Sequence, residues 1–325
     1  MRQSLLLAVL VIAAVSVEAG AQGVAKEVPY PAARPIRLVV PFTPGGGIDV
    51  QARLLSAKLE PRLGQKIVID NRGGAAGNIG MEIVARAPAD GYTIIIATVG
   101  TWTVNPHIYK SSFDVVKDFS PVIQVAATPG LLVVHPSLPA KSVQELVALA
   151  RCTPGALNYG SSGTGGFGHI SGELFAYMAI IKMTVVPYKG ASQALVDLIA
   201  GDIQVLFNNT TATIPHLGGG KVRALATTGA ARLAMLPDLP TIAEAGVPGY
   251  DNTTWSAIAA PARTPRAIIA RLNRDVAGAM LDLNDWYAST GSTMTGGTPE
   301  QFHDYLKLEL TKMENLVRAA GIKGE

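Results

Sequence analysis

Two stretches of this sequence have the residue types and spacing to hold an anion. The first is PFTPGGGIDV, residues 41–50. Gly45, Gly46 and Gly47 in succession remove every Cβ from a short segment, so neighbouring backbone N–H groups can converge on one ligand. The segment lies between the apolar run IRLVV and a helical pattern from Asp49 to Leu59. At a helix N-terminus the unpaired N–H groups and the helix dipole both favour negative charge. Asp49, at the start of that helix, reads as a capping carboxylate that also orients the loop. The second stretch is NYGSSGTGGFGHISGELF, residues 158–175, again between a strand and a helix. Hydroxyls of Ser161, Ser162 and Thr164, with N–H groups of Gly163, Gly165 and Gly166, can accept a carboxylate without a cationic side chain. A third candidate, ATVGTWTVNP at 97–106, ends a buried apolar run in Thr98, Gly100 and Thr101. For each stretch the plain alternative is a tight or capped turn from strand to helix.

Competing chemistries are weaker. GTGGFG formally matches the dinucleotide fingerprint GxGxxG, but the next strand ends in Pro187, Tyr188 and Lys189 where an acidic residue should hold a ribose hydroxyl. The serine-nucleophile pattern GxSxG fails because Thr164, not glycine, stands two residues after Ser162. A secreted hydrolase using Ser161 or Ser162 with His169 lacks an evident acidic partner in the motif. The five histidines, at 107, 135, 169, 216 and 303, have no zinc-like spacing, so neither a metal nor a cofactor is expected. His169 reads as a structural or ligand-contacting residue. Carboxylates are sparse in all three loops, which favours anion recognition over acid–base chemistry.

The elements that must position these loops are legible as alternation. Short apolar runs at 36–40, 66–69, 93–98, 131–134, 184–188 and 222–228 are separated by helical patterns such as 143–151, 171–178 and 191–200. Continuous apolarity predicts strands buried on both faces, hence parallel sheets covered by helices, and the order βαβα is an α/β signature. Ile268, Leu272, Val276 and Met280 follow Pro265, and Phe302, Leu306, Leu310, Met313 and Val317 follow Thr298-Pro299-Glu300. Both series predict amphipathic helices. The glycine loops at 44–47 and 160–168 occupy comparable settings and hint at two similar units.

With 325 residues, 48% apolar and 16% charged, the chain can bury more than one core and is not disordered. A net charge of +3 with scattered Lys and Arg gives no nucleic-acid surface. Arg2, the apolar run Leu5–Val17 and Ala19-Gly20-Ala21 read as a secretory signal peptide over residues 1–21, too short to span a membrane. The single cysteine, Cys152, excludes an intramolecular disulfide and reads as a plain helix-end residue.

Taken together, PIRLVVPFTPGGGIDVQAR, NRGGAAGNIG (71–80), ADGYTIIIATVGTWTVNP, DFSPV (118–122), NYGSSGTGGFGHISGELF, VPYKGASQALVDLIAGDI (186–203) and the terminal GIK (321–323) resemble the solute-binding receptors of tripartite tricarboxylate transporters, the Bug family. The resemblance covers nearly the whole mature length. It implies a type II periplasmic binding protein fold, with two doubly wound α/β domains, a hinge and a ligand cleft between them. One domain would be residues 22–128 with 250–325, the other 129–249. It further implies that Phe42, Thr43, Gly45, Gly46, Gly47 and Asp49 face Ser161, Ser162, Gly163, Thr164 and Gly165 across the ligand. Thr98 and Thr101 match a third loop, and His169, Tyr188 and Lys189 match further family positions. Gly166 stands where the family commonly has serine, and Gln204 and Asn208 where acidic residues are common. If Asn208 faces the ligand it suits a neutral or anionic end better than an ammonium. The remainder of the ligand would be read by Phe42, Trp102, Phe167 and Trp255. The implied role is capture of a small di-, tri- or aromatic carboxylate in the periplasm by a monomer that delivers it to a membrane permease; a sensor subunit for a membrane signalling protein would have the same pocket.

Overall fold

A computed structural model of the protein describes residues 30–161, 163–188 and 190–322. The leader expected at 1–21 lies outside the described residues, as do Ser162 and Lys189.

The strands are β1 (Ile36–Val40), β2 (Ile67–Asn71), β3 (Thr93–Thr98), β4 (Phe119–Val134), β5 (Asn158–Ser161), β6 (Thr184–Pro187), β7 (Val205–Asn209), β8 (Arg223–Thr227), β9 (Thr253–Pro261) and β10 (Thr293–Gly296). The helices are α1 (Gly47–Leu63), α2 (Asn78–Ala85), α3 (Asn105–Ile108), α4 (Val143–Cys152), α5 (Phe167–Ala179), α6 (Ala191–Ala200), α7 (Thr210–Leu217), α8 (Arg266–Leu281), α9 (Asn284–Ser289) and α10 (Pro299–Ala319). A π-helical turn, Gly100–Val104, leads into α3. The α6 and C-terminal helical periodicities fold as expected, and Thr298 closes a capping box with Gln301. Cys152 ends α4 and is exposed.

The strands form one curled sheet in the order β2-β1-β3-β9-β4-β7-β5-β6, with β8 and β10 also on β4. β1, β2 and β3 are parallel, as are β5, β6 and β7. The expectation of purely parallel sheets needs correction: β9 runs antiparallel to β3 and β4, and β7, β8 and β10 are antiparallel to β4. Continuous apolar character says that both faces are covered, and carries no information on strand direction.

β4 is the element common to both halves of the sheet. Residues 119–129 pair with β9, whereas 130–134 pair with β7 and β8. Pro129 sits at the change of partner, and Pro121 sits beside a register shift, where the missing N–H costs no ladder bond. One half of the sheet buries its faces under α1 and α8 on one side and α2 and α10 on the other. The other half is covered by α4 and α5 on one face and α6 and α7 on the other. A smaller cluster joins the halves: Val104, Ile170 of α5, and Met313, Val317 and Ile322 at the C-terminal end.

Candidate functional site

The parallel strands end at three loops. β1 hands the chain to the first, and α1 begins at Gly47. Gly45 has φ +84°, a left-handed conformation that a side chain would strain. The helix N-cap is Gly46, extended at φ −74° and ψ 163°, and no side chain caps the first turn. Side chains cap two other helices: Ser142 accepts from the Glu145 N–H and Thr298 from the Gln301 N–H, whereas α6, like α1, begins at an extended and uncapped glycine, Gly190. The first turn of α1 thus keeps its N–H groups for something other than a capping side chain.

Asp49 explains how this loop holds its shape. The carboxylate is buried; its Oδ2 accepts from the Gly45 N–H at 2.9 Å and from Arg53 Nε at 2.9 Å. Its Oδ1 accepts from Asn71 Nδ2 at 2.9 Å, and the same Nδ2 donates to the Phe42 carbonyl at 3.1 Å. Burial alone would raise the Asp49 pKa, but the hydrogen bonds from Arg53, Gly45 and Asn71 outweigh it and hold the carboxyl below its ordinary range. Asp49 is therefore a brace behind the loop. Thr43, Gly45 and Gly47 remain exposed.

The second loop repeats this construction with different chemistry. Gly163 and Gly165 are left-handed, at φ +111° and +77°. The N-cap of α5 is Gly166, extended at φ −70° and ψ 165°, again without a capping side chain. His169 Nδ1 accepts from the Gly165 N–H at 3.0 Å, which requires the lone pair on Nδ1. Ser161 is buried, and its hydroxyl donates to the Gly163 carbonyl at 2.9 Å. The Ser161 proton thus stabilises the turn. Tyr188 lies beside this loop, but its hydroxyl donates to Asp197 of α6 at 2.7 Å; burial and that carboxylate push its pKa up to about 12.

The third loop connects the other two. A Cβ on Gly77 would lie 3.0 Å from Thr101 Oγ1 and 3.4 Å from Pro41 at the start of the first loop. Asn105 Nδ2 ties this segment to the Ala76 carbonyl at 2.9 Å and to Asn78 Oδ1 at 3.0 Å. On the other side Gly165 lies against Val104, Asn105 and Ile108, and the Tyr109 hydroxyl donates to the Thr164 carbonyl at 3.4 Å. Thr98 ends β3 opposite Ser256 of β9. Six buried side-chain polar atoms have no partner among the described residues: Ser56 Oγ, Thr101 Oγ1, Ser111 Oγ, Asn208 Nδ2, Asn209 Oδ1 and Ser256 Oγ. Groups of this kind are normally satisfied by a ligand or ordered water. Asn208 Oδ1 accepts from the Asn209 N–H at 2.9 Å.

Other expected ligand readers lie elsewhere. Trp102 and Trp255 are core residues, 0% and 2% exposed, each packed edge-on against Phe302. Long apolar side chains near a loop do not reveal from sequence which way they point. Gln204 accepts from the Asn158 N–H through Oε1 and so braces β5. Phe167 covers Gly130, where a Cβ would lie 2.5 Å from its ring. The bracing roles of Asn71, Arg53 and Asn105 were not assigned from sequence; the polar residues in NRGG and TVNP, set beside glycine turns, were the available signal.

The geometry meets its counterparts in known proteins. The family model described as "Tripartite tricarboxylate transporter family receptor" matches residues 51–321. The protein BugT of Bordetella pertussis is 35% identical over 302 residues, covering 90% of this chain and 91% of BugT. The structure of R. palustris Rpa4515 with adipate has 42% identity and a TM-score of 0.84, covering 90% of this chain and 99% of that one. MatC of Rhodopseudomonas palustris with bound malate has 31% identity and a TM-score of 0.81, covering 88% and 99%. The structure of the periplasmic binding protein BugD has 29% identity and a TM-score of 0.82, covering 90% of this chain and 99% of that one, and the Ser161 proton in this chain is directed to a loop carbonyl. A family match over most of the length and this shared mixed α/β fold lead to one conclusion: the chain belongs to the tripartite tricarboxylate transporter receptor family.

Proposed function

We propose that this receptor captures a small carboxylate, with a dicarboxylate as the best fit, between the loops at 42–47 and 161–166. The observation that carries the reading is the pair of helix N-termini, α1 and α5, each starting at an extended glycine and each lacking a capping side chain. Each offers one carboxylate's worth of N–H donors and a favourable dipole end. Hydrogen bonds to a charged group contribute about 1.5 to 3 kcal/mol each. Four of them, less ordering costs, reach the roughly 8 kcal/mol of a micromolar dissociation constant. Adipate and malate on two relatives support the same ligand class.

On this reading residues 22–128 with 250–325 form one domain and 129–249 the other, and the change of partner along β4 supports a boundary there. The pair closes about the crossing strands as a monomer in the periplasm and presents the loaded form to a membrane permease. Phe42, Thr43, Gly45, Gly46 and Gly47 bind one end, and Gly163, Thr164, Gly165 and Gly166 the other. Thr98, Thr101 and Asn208 complete the wall, and Asp49, Ser161, His169 and Tyr188 act from behind it; for Ser162 and Lys189, outside the described residues, a part in binding rests on the family resemblance alone.

The test is calorimetry and thermal shift against aliphatic dicarboxylates of four to eight carbons, tricarboxylates, benzoate-type acids and amino acids. Micromolar binding of a dicarboxylate, with a rise in melting temperature that grows with concentration, is expected. No response to any acid at millimolar concentration overturns the reading.

A further inference from the structure

The loops meet at a point where two glycines touch. A Cβ placed on Gly100 would lie 2.8 Å from the carbonyl oxygen of Gly165 and 3.9 Å from its carbonyl carbon; apart from its chain neighbours and its own helical turn, nothing else among the described residues lies within 4 Å. Every atom crowding that position therefore belongs to the opposite half of the sheet. Gly100 itself is helical, outside the left-handed region, so its backbone would accept alanine. A reason for glycine internal to its own segment is missing, and the reason across the seam is explicit. A non-bonded approach of 2.8 Å between carbon and a backbone oxygen is repulsive, and a backbone carbonyl cannot rotate away as a side chain can.

From this we infer that position 100 is a closure gauge: the Gly100–Gly165 contact sets how closely the two anion-binding loops approach, and hence the length of dicarboxylate they accept. The inference rests on the proposed carboxylate reading. The surroundings make the contact a stop rather than a loose touch. Gly165 is held by His169 at 3.0 Å, so its carbonyl is fixed relative to α5. Beside it, Tyr109 bonds the Thr164 carbonyl, and Val104 and Ile170 pack in one apolar cluster with Met313 and Val317. These contacts draw the halves together, and the glycine pair fixes where they stop. A side chain at 100 widens the gap by pressing on the Gly165 carbonyl oxygen, an acceptor, and not on an N–H donor of either loop.

The experiment compares wild type, Gly100→Ala and Gly218→Ala by calorimetry against the straight dicarboxylates from succinate to suberate. Gly218 is helical, and a Cβ there meets nothing within 4 Å, so that variant reports the effect of a harmless glycine-to-alanine change. With Gly100→Ala the unliganded melting temperature should stay close to wild type, because contacts within each half are undisturbed and only the small cluster across the seam is loosened. Affinity for the shortest acid that wild type binds should fall at least tenfold. Longer acids should lose less or gain, so that the short-to-long affinity ratio shifts at least fivefold, and Gly218→Ala should leave the profile unchanged. Equal loss for every length, or no loss, overturns the gauge while leaving carboxylate binding intact. A Gly100→Ala protein that melts well below wild type without ligand overturns it too, since the position would then matter to the fold. Wild type binding none of the acids removes the carboxylate reading, and the gauge with it.

Discussion

The loops at 44–49 and 164–169 solve one geometrical problem with two kinds of acceptor. In each, a left-handed glycine precedes an extended glycine N-cap, and a side chain four residues on accepts the first glycine's N–H. In the first loop the acceptor is the Asp49 carboxylate, shared with Arg53 and Asn71; in the second it is the neutral Nδ1 of His169. The difference teaches that loop shape and loop charge are separable. A buried carboxylate holds its loop with charge-assisted bonds, roughly twice as strong as neutral ones, but sets a negative charge behind an anion site, which Arg53 offsets. The imidazole holds more weakly and adds no charge.

Replacing the two braces should break the symmetry first. Asp49→Ala leaves the Gly45 N–H and Arg53 Nε without this acceptor, and Asn71 Nδ2 with only the Phe42 carbonyl. Discounting the half-exposed Arg53 contact, we expect a loss of about 2–4 kcal/mol in stability, read by denaturant unfolding, and a dicarboxylate affinity lower by tenfold or more. Next comes the glycine pair. Gly165→Ala meets both a left-handed φ and Ile108, whose Cδ1 would be 2.8 Å away, whereas Gly45→Ala meets only the φ penalty in open space. Gly45→Ala should therefore cost about 1–2 kcal/mol and Gly165→Ala distinctly more, a ranking that thermal melts can reverse or sustain.

His169→Ala should cost about 0.5–1.5 kcal/mol, and His169→Asn, whose Oδ1 can stand near the Nδ1 position, should restore most of it. Recovery of affinity by asparagine argues for a positioning role; a larger loss at His169 than at Asp49 would refute the ranking of the two acceptors. The smallest effect concerns pH. The depressed Asp49 pKa contributes stability above the unfolded value of about 3.9 and loses it as pH falls through the folded value. The affinity ratio of wild type to Asp49→Asn should stay flat from about pH 5 to 8 and shrink only in stronger acid. A ratio that changes near neutrality would show that Asp49 is not ionised throughout.

Much of this organisation is local and was therefore legible. The span of α6, the Thr298 cap of α10 and the glycine loops at strand ends follow from periodicity and turn chemistry within a few residues. The apolar pattern shows β4 only at its end, 131–134; the bulge and the change of partner that admit Pro121 and Pro129 into the rest of the strand are tertiary facts. Nor does the sequence tell Trp102 and Trp255, which pack in the core, from ligand contacts, since side-chain direction depends on which helix packs against them.

The amino-acid order alone determined that strands would end in glycine-rich turns entering helices, because a left-handed backbone and a close approach of backbone to ligand favour glycine. Only the tertiary structure decided that β9 returns antiparallel between β3 and β4, that Asn71 braces the first loop, and that Gly100 meets Gly165. Those pairings join residues far apart in the chain, where the outcome depends on which surfaces fit once every core is packed, and no local pattern encodes that fit.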